Sequence, residues 1–456
     1  MGERLKVYIF GTQDNGCGKY RMWSPAAALV RSGLCEVRRE PDAPGDITAI
    51  RAAEIFDWAD VVYTQGFSAL WSAAIFVAAR DRTGKKLIVD LDDNLWDTHP
   101  MNVGNVNGQP FKLNDHFSDN PLNFWEEHEV TDKEWQESQA NMSEDEKALG
   151  KPLFEDGTIL EVGGKRRFVR QKNADGRSVA NFYLSHADAV TTTNNFLAGV
   201  IRQNTGQQDI HILPNCLDAS EWTPSKKHGK GEVWIGWSGS VSHYPDMKFL
   251  MPVFDRLMNK YPQLRIQIMG SCFDYLFPPK GEAQAYGVGG YGGLNEARIY
   301  KWDECGERWP GRMRFDKPVP IQNYTQWMCD NWMADIGICP LEENRFNDAK
   351  SELKWCEYSM LGIPTIASKF GPYKRAIRHG EDGLLCGTAR SWENALESLI
   401  ESPRLRNDIA ESARRVVLDR YDADRQAVRW RDCFESVIAA GAVSNSHAEG
   451  SHVLAV

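Results

Sequence analysis

The sequence predicts an α/β protein built from two parallel-sheet domains that face each other across a cleft, with an irregular α+β insertion in the first domain. Three observations predict this. The chain has 456 residues, too long for one ordinary core and suited to two domains of roughly 200 residues each. Short apolar runs of strand length alternate with helical segments, the pattern of a parallel sheet covered on both faces. That rhythm occurs twice, and each time it opens with a strand, a glycine-bearing loop and a helix.

The first half begins with the strand Leu5–Phe10, a loop holding Gly11, Gly16 and Gly18, and a helix from about Pro25 to Arg31. A helix over 50–57, the strand Val61–Tyr63, a helix over 68–80 and the strand Leu87–Val89 follow. Residues 101–180 break the rhythm. Between Asp115 and Gly150 eleven acidic residues stand against Lys133 and Lys147, and Thr131-x-x-Glu134 and Ser143-x-x-Glu146 read as capping boxes. Ile159–Val162, Gly163-Gly164 and Lys165–Val169 read as a hairpin with a two-residue turn. The rhythm resumes with a strand ending near Thr193, a helix Asn194–Gln203, and the strand Ile210–Leu213, halted by Pro214-Asn215.

Residues 223–231 are polar and contain Gly and Pro, so they divide the chain into domains 1–222 and 223–420. The second set comprises the strand Val233–Trp237, the loop Ser238-Gly239-Ser240, a helix over 246–260 and the strand Leu264–Met269. A Gly-rich excursion over 281–293 precedes a helix Ile321–Met333 and a strand Asp335–Cys339. Its Gly287-x-Gly289-x-x-Gly292 follows no strand and reads as a loop, not a dinucleotide fingerprint. A helical region covers 391–440; its last part, 421–440, is expected to pack back on the first domain, and 441–456 to be a disordered tail.

Composition narrows the function classes. A net charge of −10 and a pI near 5.6 argue against a protein that coats nucleic acid. The ten cysteines show no CxxC and no paired spacing, which suits reduced thiols in a cytoplasmic enzyme. A strand starting almost at Met1 leaves no room for a signal peptide, and the longest apolar run, Ala73–Ala79, is too short to span a bilayer.

The most informative stretch is residues 350–368, KSELKWCEYSMLGIPTIAS. Lys350 and Ser351 precede a helix that Gly362-Ile363-Pro364 stops, because proline cannot continue a helix and glycine tolerates a left-handed residue. A helix N-terminus carrying lysines holds a diphosphate well, through free N–H groups and the positive dipole end. Glu357, two turns in, is placed to accept hydrogen bonds from a sugar hydroxyl. Glycines after the first strand of each half, Gly16 and Gly18 in one and Gly239 in the other, let backbone approach a phosphate. The alternative is that they merely close tight strand-to-helix turns.

The 350–368 segment resembles the donor-binding helix of retaining glycosyltransferases of the GT-B fold, the family-four type. Ala187-Asp188 to Thr193, the Pro214-Asn215-Cys-Leu-Asp218 run, Ile235 to His243, Ala334 to Pro340 and Gly380 to Gly383 are similar to that family's flanking motifs. The resemblance implies two Rossmann-like domains, a nucleoside-diphosphate-sugar as co-substrate, no required cofactor or metal, and retention of configuration. It implies donor contacts at Gly16, Gly18, Arg21, Ser238, Gly239, Ser240, His243, Ser351 and Glu357, with Lys350 and Lys354 neutralising the leaving diphosphate. Lys354 reads equally as a solvated helix residue. The family's first acidic residue falls at Ala349 here, and its Arg and Lys after the first donor-domain strand are replaced by Ser240 and His243.

Asp90-Leu91-Asp92-Asp93 looks like a metal-holding DxD run, but two nucleotide-binding halves argue for the other reading. In that reading Asp92 or Asp93 positions or deprotonates the acceptor hydroxyl, the alternative being a structural cap. The acceptor is open. DLDDNLW with Gly18-Lys19-Tyr20-Arg21 resembles phage-borne glycosyltransferases, some of which modify hydroxymethylated pyrimidines in DNA and others proteins or surface polysaccharide. The basic hairpin residues Arg166, Arg167 and Arg170 fit a DNA acceptor, or a solvated hairpin paired with the acidic segment. A catalytically silent sugar-nucleotide-binding protein or scaffold is the remaining alternative.

Overall fold

The computed structural model describes residues 4–10, 15–39, 48–67, 69–97, 171–224, 231–239, 243, 246–247, 249–270 and 309–450, with short pieces between 131 and 169. For 153–177 and 441–450 the description is of backbone only.

The first domain contributes strands β1 (Leu5–Phe10), β2 (Cys35–Arg39), β3 (Val61–Thr64) and β4 (Lys86–Asp90). A small antiparallel sheet follows, β5 (Leu153–Phe154), β6 (Gly157–Val162) and β7 (Lys165–Val169), and then β8 (Ala189–Thr192) and β9 (Ile210–Ile212). The main sheet is parallel throughout, in the order β2-β1-β3-β4-β8-β9. Every residue of β3 and β8 is buried, as expected of strands covered on both faces.

The second domain has β10 (Val233–Gly239), β11 (Leu264–Gly270), β12 (Met313–Asp316), β13 (Ile336–Cys339), β14 (Thr365–Ser368) and β15 (Leu384–Cys386). Its order, β12-β11-β10-β13-β14-β15, reverses direction between β10 and β13. Ligands of open α/β sheets bind in the crevice outside the strand ends at that reversal. Glycine makes the sheet possible at one point: a Cβ on Gly337 of β13 would lie 2.3 Å from Cδ2 of Tyr358.

The chain crosses between domains twice, and the two crossings lie side by side. Leu217 N–H donates to the Tyr421 carbonyl and Ala423 N–H to the Leu217 carbonyl, each at 2.8 Å. Beyond them the helix Ala423–Gly450 packs on the first domain, with Trp430 and Phe434 edge-on or tilted against Tyr63.

Several expectations need correction. Ser238 and Gly239 end β10 and are not a loop, since Gly239 still pairs with Gly270 of β11. The helix expected over 246–260 is described as Met251–Lys260, with 246–247 also helical and a turn at 249–250. The helix Gln171–His186 belongs to the domain framework, because it packs on the helix Leu70–Thr83; the irregular part ends before it. The final helix runs to Gly450, well into the stretch expected to be disordered. Most of the linker, the 281–293 excursion, Ser240 and Arg170 lie outside the described residues.

Candidate functional site

Residues that follow β1, β4, β8 and β9 meet residues that follow β13. Asn94 donates to the carbonyl of Arg345 at 3.4 Å, and Arg345 pairs with Asp97 at 2.9 Å. Asn194 donates to the Ala349 carbonyl at 2.7 Å, and Asn215 to Ser351 Oγ at 2.8 Å. First-domain side chains therefore hold the segment 345–351 along its length.

That segment is a short helix, Arg345–Ala349, followed by Lys350, Ser351 and Glu352 and then the helix Leu353–Met360. Glu352 makes no capping bond with its side chain, which instead accepts a hydrogen bond from the Tyr421 hydroxyl. The helix start thus carries no side-chain acceptor from its N-cap residue, and two lysines flank it. Lys350 is half-buried with its ammonium 4.4 Å from the centre of the Phe346 ring. Lys354 Nζ lies 3.2 Å from Nε2 of His243, whose Nδ1 is 2.6 Å from Asp246 Oδ2. Burial, and then Lys350, lower the pKa of Lys354. Asp246 accepts further bonds from the Glu342 N–H and the Asn347 amide, yet burial pushes its carboxyl up to about 7. Like-signed lysines, one of them kept partly dehydrated, form a ready counter-charge for an anion.

Glu357 is buried one turn further along. Its Oε1 accepts from the hydroxyl of Tyr20, a first-domain residue, at 2.7 Å, and its Oε2 from that of Tyr324 at 3.1 Å. Burial raises its pKa, and the two phenols and Lys354 oppose that rise.

Across the boundary, Cys17 Sγ and one oxygen from each of Asp92 and Asp93 lie within 4.8 Å of one another. Burial, then Asp93 and Asp90, raise Asp92 to about 7. Burial, then Asp92 and Asp93, hold the Cys17 thiol well above its usual range. A carboxyl titrating near neutrality suits acid–base work.

Comparison with known proteins fits this geometry. Residues 252–432 match the family model described as glycosyl transferase-like. A D-inositol 3-phosphate glycosyltransferase of Pseudarthrobacter chlorophenolicus is 31% identical over 98 residues, which is 21% of this chain and 21% of that protein. Among solved structures, a glycosyltransferase from Rickettsia africae superposes with a TM-score of 0.55 at 10% identity, covering 96% of this chain and 99% of that one. Anabaena HepE, solved with UDP and glucose, gives 0.51 at 13% identity, covering 93% and 98%. Sucrose-phosphate synthase from Thermosynechococcus elongatus gives 0.53 at 11%, covering 96% and 100%.

The chain has the GT-B fold of glycosyltransferases. Within this GT-B framework the sequence-predicted residues separate into three groups. His243, Lys350, Lys354 and Glu357 come together beside the β10–β13 reversal. Ser351 is held by Asn215, and Asp92 and Asp93 cluster with Cys17 in the first domain. Gly16 and Gly18 form the first helical turn after β1, where Asn15 accepts the Gly18 N–H at 3.1 Å.

Two residues expected at the donor are turned inward. Arg21 is fully buried, forked onto Asp90 and bonded to the Leu213 carbonyl, which leaves it no path to a ligand. Ser238 is buried, and its N–H donates to the Tyr358 hydroxyl at 3.1 Å. Gly239 has a packing reason to be glycine, since a Cβ there would meet the Trp237 ring at 2.5 Å. Ala349, at the position of the family's first acidic residue, is wholly buried among first-domain core residues. For Arg166 and Arg167 the structure describes the β7 backbone only.

Sequence reasoning missed Asp246, Tyr20 and Tyr324. Asp246 was legible as the residue three past His243, a spacing at which one turn brings the two together. Nothing local in the sequence marks the tyrosines, which reach Glu357 from distant segments.

Proposed function

We propose that this chain is a glycosyltransferase that moves a sugar from a nucleoside-diphosphate-sugar to a hydroxyl acceptor, with retention of configuration. The observation that carries the reading is the convergence of Lys350, Lys354 and His243 on the start of the helix Leu353–Met360, beside the sheet reversal. When the bond from the sugar carbon to the diphosphate breaks, its electron pair leaves with the phosphate oxygen. Lys350, Lys354 and the backbone N–H groups of Gly239 and Ser351 stabilise that charge. Fixed cations and a helix dipole supply what a metal would otherwise supply. Glu357 holds the nucleotide ribose or the sugar, and each of its oxygens keeps a lone pair beyond the tyrosine bond. Asp92, beside Asp93, positions or deprotonates the acceptor hydroxyl.

The neighbour solved with UDP and glucose supports a nucleotide-sugar donor. Thermal-shift measurements with UDP-, GDP- and ADP-sugars test the donor, because a ligand that binds only the native form raises its melting temperature. No response to any of them, together with no sugar release, defeats the reading. Sugar binding without transfer or hydrolysis would favour the silent binding module that the alanine at 349 suggests.

For the acceptor we propose a hydroxymethylated pyrimidine in DNA, as in a phage enzyme working in its host's cytoplasm. The Lys165-Arg-Arg-Phe-Val169 strand of a hairpin supports this, and the eight described cysteines are all free, as suits a reducing compartment. Binding to duplex DNA should weaken steeply with salt. Absence of binding at low salt sends the search to polysaccharide or protein hydroxyls.

A further inference from the structure

Across the domain boundary one buried bond links a first-domain side chain to a residue of the donor site. The segment Gly16–Trp23, an α turn and then a π turn, sends three consecutive side chains in different directions. Lys19 enters the second domain, its Nζ 2.6 Å from Thr325 Oγ1 and 2.8 Å from Glu221. Arg21 enters the first domain's core. Tyr20, only 1% exposed, delivers its hydroxyl to Glu357. The Tyr20 carbonyl meanwhile accepts the Cys216 N–H at 2.9 Å, which fixes the base of the side chain beside the inter-domain crossing. A π turn shifts the following side chains relative to a regular helix, and such turns recur at functional sites.

We propose that Tyr20 is a positioning residue of the donor site, completing it from the opposite domain by holding the Glu357 carboxyl between its own hydroxyl and that of Tyr324. The proposal rests on the donor reading of Glu357 given above. A carboxylate with one lone pair engaged on each oxygen has its plane fixed, and the remaining lone pairs point in set directions. Both phenols are kept protonated, and so remain donors, because burial and the adjacent carboxylate push their pKa values well above the usual range. Tyr324 comes from the same domain as Glu357 and constrains it in any arrangement of the lobes. Tyr20 does so only when the first domain is seated as it is here. Donor recognition by Glu357 is thereby made conditional on that seating, and donor binding in turn favours it, as linkage requires.

The test uses the full chain and four proteins: wild type, Tyr20→Phe, Glu357→Gln and the double variant, with Thr325→Val as a control. Thr325→Val removes a different inter-domain bond and leaves Glu357 untouched. Calorimetric titration with UDP, GDP and ADP gives affinity; donor turnover gives KM and kcat separately. Tyr20→Phe should weaken nucleoside-diphosphate binding about ten-fold or more, the loss expected of a bond to a charged group. Donor KM should rise in step while kcat at saturation changes far less, and in the Glu357→Gln background, where the amide oxygen still accepts from Tyr20 but carries no charge, Tyr20→Phe should add much less than it does alone. Thr325→Val, which loosens the seating but keeps both tyrosine bonds to Glu357, should weaken binding far less than Tyr20→Phe does. A Tyr20→Phe protein with a lower melting temperature but wild-type affinity and KM has lost only a structural contact, and the proposal falls. Tighter binding by Tyr20→Phe would also overturn it, since Tyr20 would then be blocking the carboxyl. If wild type binds none of the three nucleotides, the donor reading fails first and takes this one with it.

Discussion

Lys354 and His243 sit 3.2 Å apart, Nζ to Nε2, on either side of the sheet reversal in the second domain. The contact fixes more than a distance. With Lys354 as the ammonium, which only donates, His243 accepts at Nε2 and carries its proton on Nδ1, the nitrogen 2.6 Å from Asp246. Asp246 is in turn held by the Glu342 N–H and the Asn347 amide. The result is a directed chain from a buried carboxyl to an ammonium, with the imidazole as a rigid spacer that sets where the charge of Lys354 sits.

Removing that charge should be strongly damaging. Lys354→Ala should lower kcat/KM for the donor by about 10²–10³-fold, the usual loss when one stabiliser of a developing negative charge is deleted. His243→Ala should do less, about ten-fold, because the ammonium remains but is no longer held in place. Steady-state kinetics with the donor that thermal shift identifies would rank the two variants. An equal effect of both would mean that His243 touches the donor itself.

The pH profile should show an acidic limb near neutrality. Asp92 is raised from 3.8 to about 7 by burial and by Asp93 and Asp90, so its basic form is present only above that range and activity should fall as pH drops through it. Asp246 is pushed to the same range, so the limb can be assigned only by comparison. Asp92→Asn should abolish it and lower kcat by about 10²–10⁴-fold. Stability should move the other way. A carboxyl whose folded pKa is raised contributes stability below its unfolded pKa, and that contribution is lost as pH rises through about 7. Asp92→Asn should therefore be more stable than wild type at pH 8, by about 1 kcal/mol once the partial exposure of Asp92 is allowed for. Thermal melts at pH 5 and pH 8 would show it.

How much of this was readable from the chain depends on how local each signal was. The central strands announced themselves as continuous apolar runs, as in Val61-Val62-Tyr63, because they are buried on both faces. The edge strands β2 (CEVRR) and β12 (MRFD) did not, since an edge strand keeps charged residues on its open side. The helix Leu353–Met360 was legible through its stop signal, and Gly362 has the left-handed φ of +74° that the stop requires. Arg21 was expected at the donor, and its tie to Asp90, which spans 69 positions, leaves no local trace in the sequence.

Close packing behind the proposed donor site gives a separate test. A methyl added at Gly337 would lie 2.3 Å from Tyr358 Cδ2, so the ring must move. Tyr358 accepts the Ser238 N–H at the end of β10 and stacks on Trp332 with planes 7° apart. Gly337→Ala should destabilise the protein by about 1–3 kcal/mol, the range for overpacking a filled core. It should also raise donor KM, because the end of β10 shifts with the ring. Chemical denaturation with kinetics on the same sample would separate the two effects.

The Arg21–Asp90 pair decides whether a charged residue of the glycine-loop helix serves the donor or the fold. Arg21 sits at zero exposure with Nη2 2.5 Å from Asp90 Oδ1, Nη1 2.6 Å from the Leu213 carbonyl, and its guanidinium 5.3 Å from the centre of the Trp430 ring. Burial alone would push its pKa down, but Asp90 outweighs it and leaves the pKa raised, so the guanidinium stays charged. The same carboxylate accepts from the Tyr63 and Thr191 hydroxyls. Arg21→Met would leave that carboxylate buried without its counter-ion, which should cost about 3–5 kcal/mol. Adding Asp90→Leu removes the stranded charge and should recover most of the loss, because an apolar pair of similar volume replaces a buried ion pair at little cost. Donor affinity of the folded double variant should match wild type. A double variant that melts like wild type yet binds nucleotide much more weakly would return Arg21 to the donor site.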